Sequence, residues 1–301
     1  APEGKYSAML AGNTFCGEVE VPAAHRLSRL DSQILPGARV PEAERLYVVD
    51  RSVLFVTCGL GYGFVPVRLG APPEVLEQNI LGAVDMSLPT QGQLGKYSKK
   101  FNCVMLPFVF NDYAQADKVL DGVFLKWAAP DLDKAGLVFL SNWEWGFRNL
   151  TNSKRPVNVP ADVKGLKVRT PPELPTQAAM EALGAVVATI NFNELQMALK
   201  TGVVDGQENP IAVIHSNKIY ETQKYLAMTG HNYNSMVHVI SKKVWDKLTP
   251  AQQKIVKEES KKAGDWMRKT CRDAEAKQIS ELKGFGMEVT YPDKSEFKKL
   301  M

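Results

Sequence analysis

The feature that most limits how this chain can fold is an alternation that sets in at Pro72. From there, short apolar runs alternate with helical patterns, most of them stopped by glycine. Pro72-Pro73-Glu74 opens a predicted helix carrying Val75, Ile80 and Leu81 and ending at Gly82, because proline suits a first helical turn and glycine the residue past the last. Residues 83–88 then read as a short buried strand, 105–110 as a second and 137–140 as a third, while Asn111-Asp112 supplies the cap of a helix running through Leu120. The second half repeats the pattern, with a helical turn at 162–165, a strand at 166–169, helices at 176–183 and 192–201, and a strand starting at Val203-Val204. Strands alternating with helices predict an α/β architecture with largely parallel sheets, in which ligands collect at the carboxyl ends of strands.

A second constraint comes near the end. Thr249-Pro250-Ala251-Gln252 has the form of a capping box with proline at the first helical position, and the helix it opens can run to Leu282 before Gly284. At 1.5 Å per residue such a helix is about 50 Å long, more than one small domain across. It either braces two lobes or breaks near Gly264. Two domains also fit 301 residues at about 100 to 200 residues each. With 45% of residues apolar and 23% charged, disorder is excluded. A membrane-spanning helix needs about 18 apolar residues in a row, and the best run, 53–67, is interrupted by Gly and Pro and stops at Arg68. A net charge of +4 gives no concentrated field for phosphates, so no nucleic-acid partner is expected.

The first 70 residues differ in character. They contain one Lys and six Arg, against 25 Lys and five Arg afterwards, and neither helical nor strand periodicity persists in them for long. The segment reads as divergent from the rest or as translated in another frame, which peptide mapping of the stretch from Arg29 to Arg68 decides. Gly59-Leu60-Gly61-Tyr62-Gly63 lacks both the spacing and the following Lys-Ser/Thr of a phosphate loop and is expected to be a plain turn. Cys16, Cys58, Cys103 and Cys271 form no CxxC pair and no Cys/His cluster, so no metal and no cofactor is expected; each cysteine is expected to be a small buried hydrophobe, with a disulfide as the alternative. The start Ala1-Pro2-Glu3 fits a mature exported protein as well as a trimmed one.

Among groups able to carry chemistry, the arginines are the most informative. Arg148 and Arg169 both sit where strand-like segments end, and guanidinium offers a planar fork that matches a carboxylate in a way lysine cannot. Surface salt bridges are the alternative for each. The run 205–210, Asp-Gly-Gln-Glu-Asn-Pro, is expected to be a turn rich in amide and carboxylate groups. His25, His215, His231 and His238 fall in no metal or catalytic motif, and no G-x-S-x-G elbow occurs. Glu144 and Glu208 could meet across a cleft, which leaves a secreted hydrolase using a carboxylate pair open as an enzyme reading.

At these residues the chain resembles the solute-binding subunit of tripartite ATP-independent periplasmic (TRAP) transporters. The phrases that carry the likeness are Gly146-Phe147-Arg148-Asn149-Leu150-Thr151-Asn152, Asp162-Val163-Lys164-Gly165-Leu166-Lys167-Val168-Arg169 and Thr201-Gly202-Val203-Val204-Asp205-Gly206-Gln207-Glu208-Asn209-Pro210. The likeness runs from Pro72 to the C-terminus. It implies an α/β, two-lobed periplasmic binding protein of type II-like form, its long C-terminal helix bracing both lobes: residues 1–145 in a first lobe, 146–235 in a second, and 236–301 in a C-terminal segment. It implies a periplasmic receptor, not an enzyme, that closes over a small organic acid and delivers it to TRAP membrane permease subunits. A receptor module for a membrane sensor is the other non-enzymatic reading. By motif position, Arg169 would pair with the ligand carboxylate, Arg148 would add a second cationic contact, Asn209 would hydrogen-bond the same end and Phe192 would pack against the ligand. Trp143, Trp145 and Glu208 are further expected contacts. Closure requires contacts from both lobes, and Thr90 and Gln91, just past the 83–88 strand, are the first-lobe candidates. Polar Gln207, Gln91 and Asn191 favour a hydroxy or sugar acid, with a plain dicarboxylate or an aromatic acid as the alternatives.

Overall fold

The computed structural model describes the backbone of residues 4–10, 13–21, 45–49, 52–56, 67–69 and 73–301, and side chains from Val75 onward. Strands β1 (Gly4–Leu10) and β2 (Asn13–Val21) pair with each other, while β3 (Arg45–Val49), β4 (Ser52–Val56) and β5 (Val67–Leu69) begin a larger sheet. Helix α1 (Pro73–Leu81) ends at Gly82, whose φ of +78° is the left-handed stop the sequence predicts, and β6 (Met86–Leu88) follows. Short helices α2 (Gln91–Leu94) and α3 (Lys100–Cys103) precede α4 (Tyr113–Val119), capped by the Asp112 side chain as expected, then a π-helical turn (Leu120–Phe124) and α5 (Leu125–Lys134).

Two long strands dominate what comes next. β7 (Leu137–Asn152) is followed by a 3-10 turn (Pro160–Val163), β8 (Lys167–Thr170), α6 (Leu174–Ala182), β9 (Val186–Thr189), α7 (Phe192–Lys200), β10 (Gly206–Pro210) and α8 (Ile211–Ser216). β11 (Tyr225–Ser241) then runs antiparallel to β7 along almost its whole length. The chain closes with α9 (Lys242–Trp245), α10 (Pro250–Gly284), β12 (Glu288–Thr290) and α11 (Lys294–Leu300). In the sheet the order is β3-β4-β5-β6-β11-β7-β10-β8-β9, with β12 on β11.

The fold is the two-lobed α/β architecture. Leu137, Phe139, Tyr233, Val237 and Val239 pack with α3, α4 and α5 in one core, whereas Leu150 and Ala227, on the other ends of the same two strands, pack with β8 and α6 in another. β7 and β11 therefore run from one lobe into the other. Gly146, at φ +117°, lies where their register shifts, and a second shift falls between Ala227 and Asn232.

Several local expectations are corrected. The strand expected at 137–140 is the start of the 16-residue β7, so Arg148 lies inside a strand and not at its end. Residues 105–110 form turns: Pro107 has no N–H for a ladder, and Phe108, at φ +55°, donates its amide to His231 O instead. The strand expected from Val203 begins at Gly206, so the run read as a polar turn is the central strand β10. Its polar side chains are tolerated there because neighbouring strands satisfy them, Thr151 bonding Gln207 and Arg148 bonding Glu208. Cys103 is exposed and Cys271 half-buried, against the expectation of burial. Cys58, His25 and the 59–63 glycine run lie outside the described residues.

Helix α10 does not break at Gly264. The Thr249 hydroxyl caps the Gln252 amide and the Gln252 side chain returns a bond to the Thr249 amide, so the start is the expected capping box. A Cβ on Gly264 would lie 2.9 Å from Asn142 O and from Trp143 Cδ1, so glycine lets the helix press directly onto β7. Val256, Ala263 and Met267 pack on the first-lobe core and Ile279 and Leu282 on the second, so the helix braces both.

Charged bonds reinforce the brace. Arg268 Nη1 donates to Asp121 Oδ2 at 2.5 Å, and Arg272 donates to Asp117 and, at 2.6 Å, to Glu144. Burial nevertheless raises the Glu144 carboxyl to about 7, the Arg272 charge offsetting only part of it. Between its ordinary value and about 7 the folded chain keeps a proton that the unfolded chain has lost, so stability falls as pH rises through that window. Denaturant unfolding at pH 4.5 and 7.5 is expected to show a loss of up to about 3 kcal/mol that Glu144→Gln largely removes.

Candidate ligand-binding site

The expected site residues come together because β7, β10 and β8 are neighbours in the sheet. Register places Arg148 opposite Pro210 and Gln207 beside Arg169, which brings both arginines and the Glu208-Asn209 pair into one patch. Gly206 makes the close approach possible, since a Cβ there would lie 2.2 Å from Thr151 O.

The two arginines have different surroundings. Arg148 is buried and grips Glu208: Nε donates to Glu208 Oε2, Nη2 to Glu208 Oε1 at 2.7 Å and to Glu208 O at 2.8 Å, and Nη2 also reaches Asn209 Oδ1 at 3.3 Å. His231 Nε2 stands 3.5 Å from Glu208 Oε2. Burial alone would raise the Glu208 carboxyl, but Arg148 and then His231 hold it below its ordinary value, as a charge. Asn209 donates from Nδ2 to Gln207 Oε1 at 2.5 Å, and Gln207 Nε2 donates to Thr151 Oγ1 at 2.9 Å, so the patch under the arginines is a rigid polar network.

Arg169 is equally buried, at 2% exposure, yet no carboxylate of the described residues pairs with it. Its Nε donates to Ile190 O at 2.8 Å, and its Cζ lies 5.8 Å from the centroid of the Phe192 ring. Burial and the nearby Arg148 charge lower its pKa to about 10, Glu208 opposing them, so it remains cationic at neutral pH. A buried guanidinium without a counter-charge is costly unless an anion from outside completes it.

The first lobe reaches the patch through Thr90, with Gln91 beside it bonded to β11. Thr90 Oγ1 donates to Glu173 Oε1 at 2.7 Å, and Gln91 Oε1 accepts from the Ser235 amide while its Nε2 is buried without a partner among the described residues. Phe192 is half-buried over Arg169, and Asn191, just before it, is exposed. Trp143 and Trp145 are not brought to this patch. Trp143 is fully buried, its Nε1 bonded to Ser141 Oγ at 3.0 Å and its ring against His238, beneath Gly264 of α10. Trp145 lines a small cavity of about 10 Å³ with Tyr113, Glu144 and Arg272. A second cavity of about 170 Å³, lined by Phe108, Phe110, Phe147, Lys294 and Lys298 among others, likewise contains neither Arg148 nor Arg169. Glu144 and Glu208 do not form a carboxylate pair, since each is held by its own arginine, Arg272 and Arg148 respectively.

Two residues of the patch are missed by the sequence reading. Glu173 follows Pro171-Pro172 just beyond the strand that carries Arg169, a position at a strand's carboxyl end that could have pointed to it. His231 sits inside β11 with no motif around it, and only the pairing of β11 with β7 brings it to Glu208.

A family model described as bacterial extracellular solute-binding protein, family 7, matches residues 67–301. The 2,3-diketo-L-gulonate-binding periplasmic protein YiaO of Escherichia coli K12 is 37% identical over 208 residues, 69% of this chain and 63% of that protein. The sialic acid-binding periplasmic protein SiaP of Vibrio cholerae is 35% identical, over 78% of this chain and 73% of that one. An uncharacterised protein of Sinorhizobium fredii is 38% identical over 77% of this chain, which spans only 43% of it. Among solved structures, a TRAP periplasmic solute-binding protein from Polaromonas sp. JS666, bound to D-erythronate, superposes with a TM-score of 0.74 at 39% identity, covering 77% of each chain.

Proposed function

The chain belongs to the bacterial extracellular solute-binding proteins of family 7, and from that premise we propose that it is a periplasmic receptor that binds a small organic acid between its lobes and delivers it to a TRAP membrane permease. The observation that carries this reading is Arg169, a deeply buried cation with an aromatic ring over it and no carboxylate partner among the described residues. A ligand carboxylate supplies the missing counter-charge and accepts from the two guanidinium nitrogens that Ile190 does not engage. Arg148 then acts mainly as a rigid floor, its Nε and Nη2 spent on Glu208 and Asn209.

Closure follows from having contacts on both sides. Thr90 and Gln91 approach from the first lobe and Arg169, Phe192 and Asn209 from the second, so a ligand touching both sets binds the closed form better than the open one. We place the hinge where β7 and β11 change register, at Gly146 and between Ala227 and Asn232. The fold needs no further covalent step: the chain captures and releases.

A thermal-shift screen tests the reading. Ligand at about 100 times its dissociation constant stabilises by about 2.7 kcal/mol, several degrees in midpoint for a chain of this size. The expected result is a shift with sugar acids or other hydroxy acids and none with the matched neutral polyols. A well-folded protein that responds to no acid would turn the assignment toward a sensor module or an enzyme.

A further inference from the structure

The patch around Arg169 holds one charged group that an acid receptor does not need for holding a carboxylate. Glu173 stands just before α6, 4% exposed, and its Oε1 reaches across to Thr90 Oγ1 at 2.7 Å. Its Oε2 is buried and has no hydrogen-bond partner among the described residues. The side chain is seated against Gly92 so closely that a Cβ there would lie 2.2 Å from Glu173 Cδ, so glycine at the start of α2 leaves the room this carboxyl occupies. Arg148 and Arg169 are both near enough to favour its charged form, and Glu208 near enough to oppose it.

Arg148 and Glu208 neutralise one another in a buried pair, which leaves the Arg169 cation and the Glu173 carboxyl. We propose that Glu173 sets the class of ligand, resting on the receptor reading above: an acid with one carboxylate, taken by Arg169, and hydroxyls at its far end, one of which donates to Glu173 Oε2. A buried acceptor without a partner is costly, and a ligand hydroxyl removes that cost. A second ligand carboxylate does the reverse, bringing only acceptors and like charge against Glu173. Burial pushes the Glu173 carboxyl up, with Arg148 and the Thr90 hydroxyl opposing. A hydroxyl suits either protonation state, because a neutral carboxyl also accepts, whereas a second carboxylate needs the neutral one.

Calorimetric titration of the whole chain with two matched pairs tests this, each pair differing only in a terminal hydroxymethyl group oxidised to carboxylate: D-erythronate against meso-tartrate, and D-galactonate against galactarate. The expected result is a preference for the monocarboxylate of at least about tenfold in the pair that fits the site. Glu173→Gln, nearly the same shape and still an acceptor, is expected to shrink that preference by about tenfold or more, chiefly by tighter binding of the dicarboxylate. Wild-type protein that takes the dicarboxylate as well as its partner, or a preference unchanged in Glu173→Gln, overturns the role of Glu173 while leaving the receptor reading in place. If no acid of either pair binds while another acid shifts the midpoint of the wild-type protein, the ligand class assigned to Glu173 is overturned and the receptor reading stands; only a protein that responds to no acid overturns both.

Discussion

Replacing Arg169 by alanine is expected to weaken acid binding more than a hundredfold while leaving the free protein at least as stable as before. The two halves of this expectation have one cause. Arg169 is buried without a paired carboxylate among the described residues, and the charges of Glu208 and Glu173 offset only part of its desolvation, so the folded protein gains little from its charge. The ligand repays that cost, and truncating one side of a buried charge pair typically loses about 2 to 5 kcal/mol, or from tens- to thousands-fold in affinity. Arg169→Lys keeps the charge but loses the fork and the flat face that lies against Phe192, and is expected to recover only part of the affinity. Titration of the three proteins with one acid, alongside denaturant unfolding of each without it, separates the two effects. Unchanged affinity in Arg169→Ala would remove Arg169 from the site.

Glu208 is expected to behave in the opposite way. Glu208→Ala leaves the Arg148 guanidinium buried with no counter-charge, and is expected to destabilise by about 3 to 5 kcal/mol. The double variant Arg148→Met, Glu208→Leu removes both charges at similar volume and is expected to regain most of that loss. Denaturant midpoints at constant slope check both. A Glu208→Ala protein as stable as wild type would mean that the pair contributes little and that Glu208 is free for the ligand. The strands on either side of β10 thus carry two arginines of the same burial, one paired with Glu208 and one that the receptor reading leaves for the solute.

That division could not have been read from the sequence. Both arginines follow apolar segments, and residue type alone makes them equivalent ligands; only the register of β10 against β7 assigns Glu208 to Arg148. What was legible depends on local signals. Gly82 and the Thr249 capping box mark helix ends through backbone conformation and hydrogen bonds made within a few residues, and both are where the pattern puts them. Long strands were harder to see. β7 runs through Asn142, Glu144 and Arg148, whose polarity breaks any alternation, because its partners change along its length from core to helix α10 to site. The same holds for β10, in which Gln207, Glu208 and Asn209 look like a turn until neighbouring strands supply their bonds. Trp143 was drawn toward the ligand by its place beside the arginine motif, but the shift at Gly146 and the pressure of α10 send it into the first-lobe core.

On the receptor reading, this chain takes up one organic acid reversibly and returns it unchanged. The most direct measurement is calorimetric titration with the acid that gives the largest thermal shift, followed by denaturing the complex and identifying the released molecule by mass spectrometry. One acid bound per chain, recovered with its mass intact after prolonged incubation, is the predicted result. An acid recovered in altered form, or saturating heats that persist in Arg169→Ala, would contradict it.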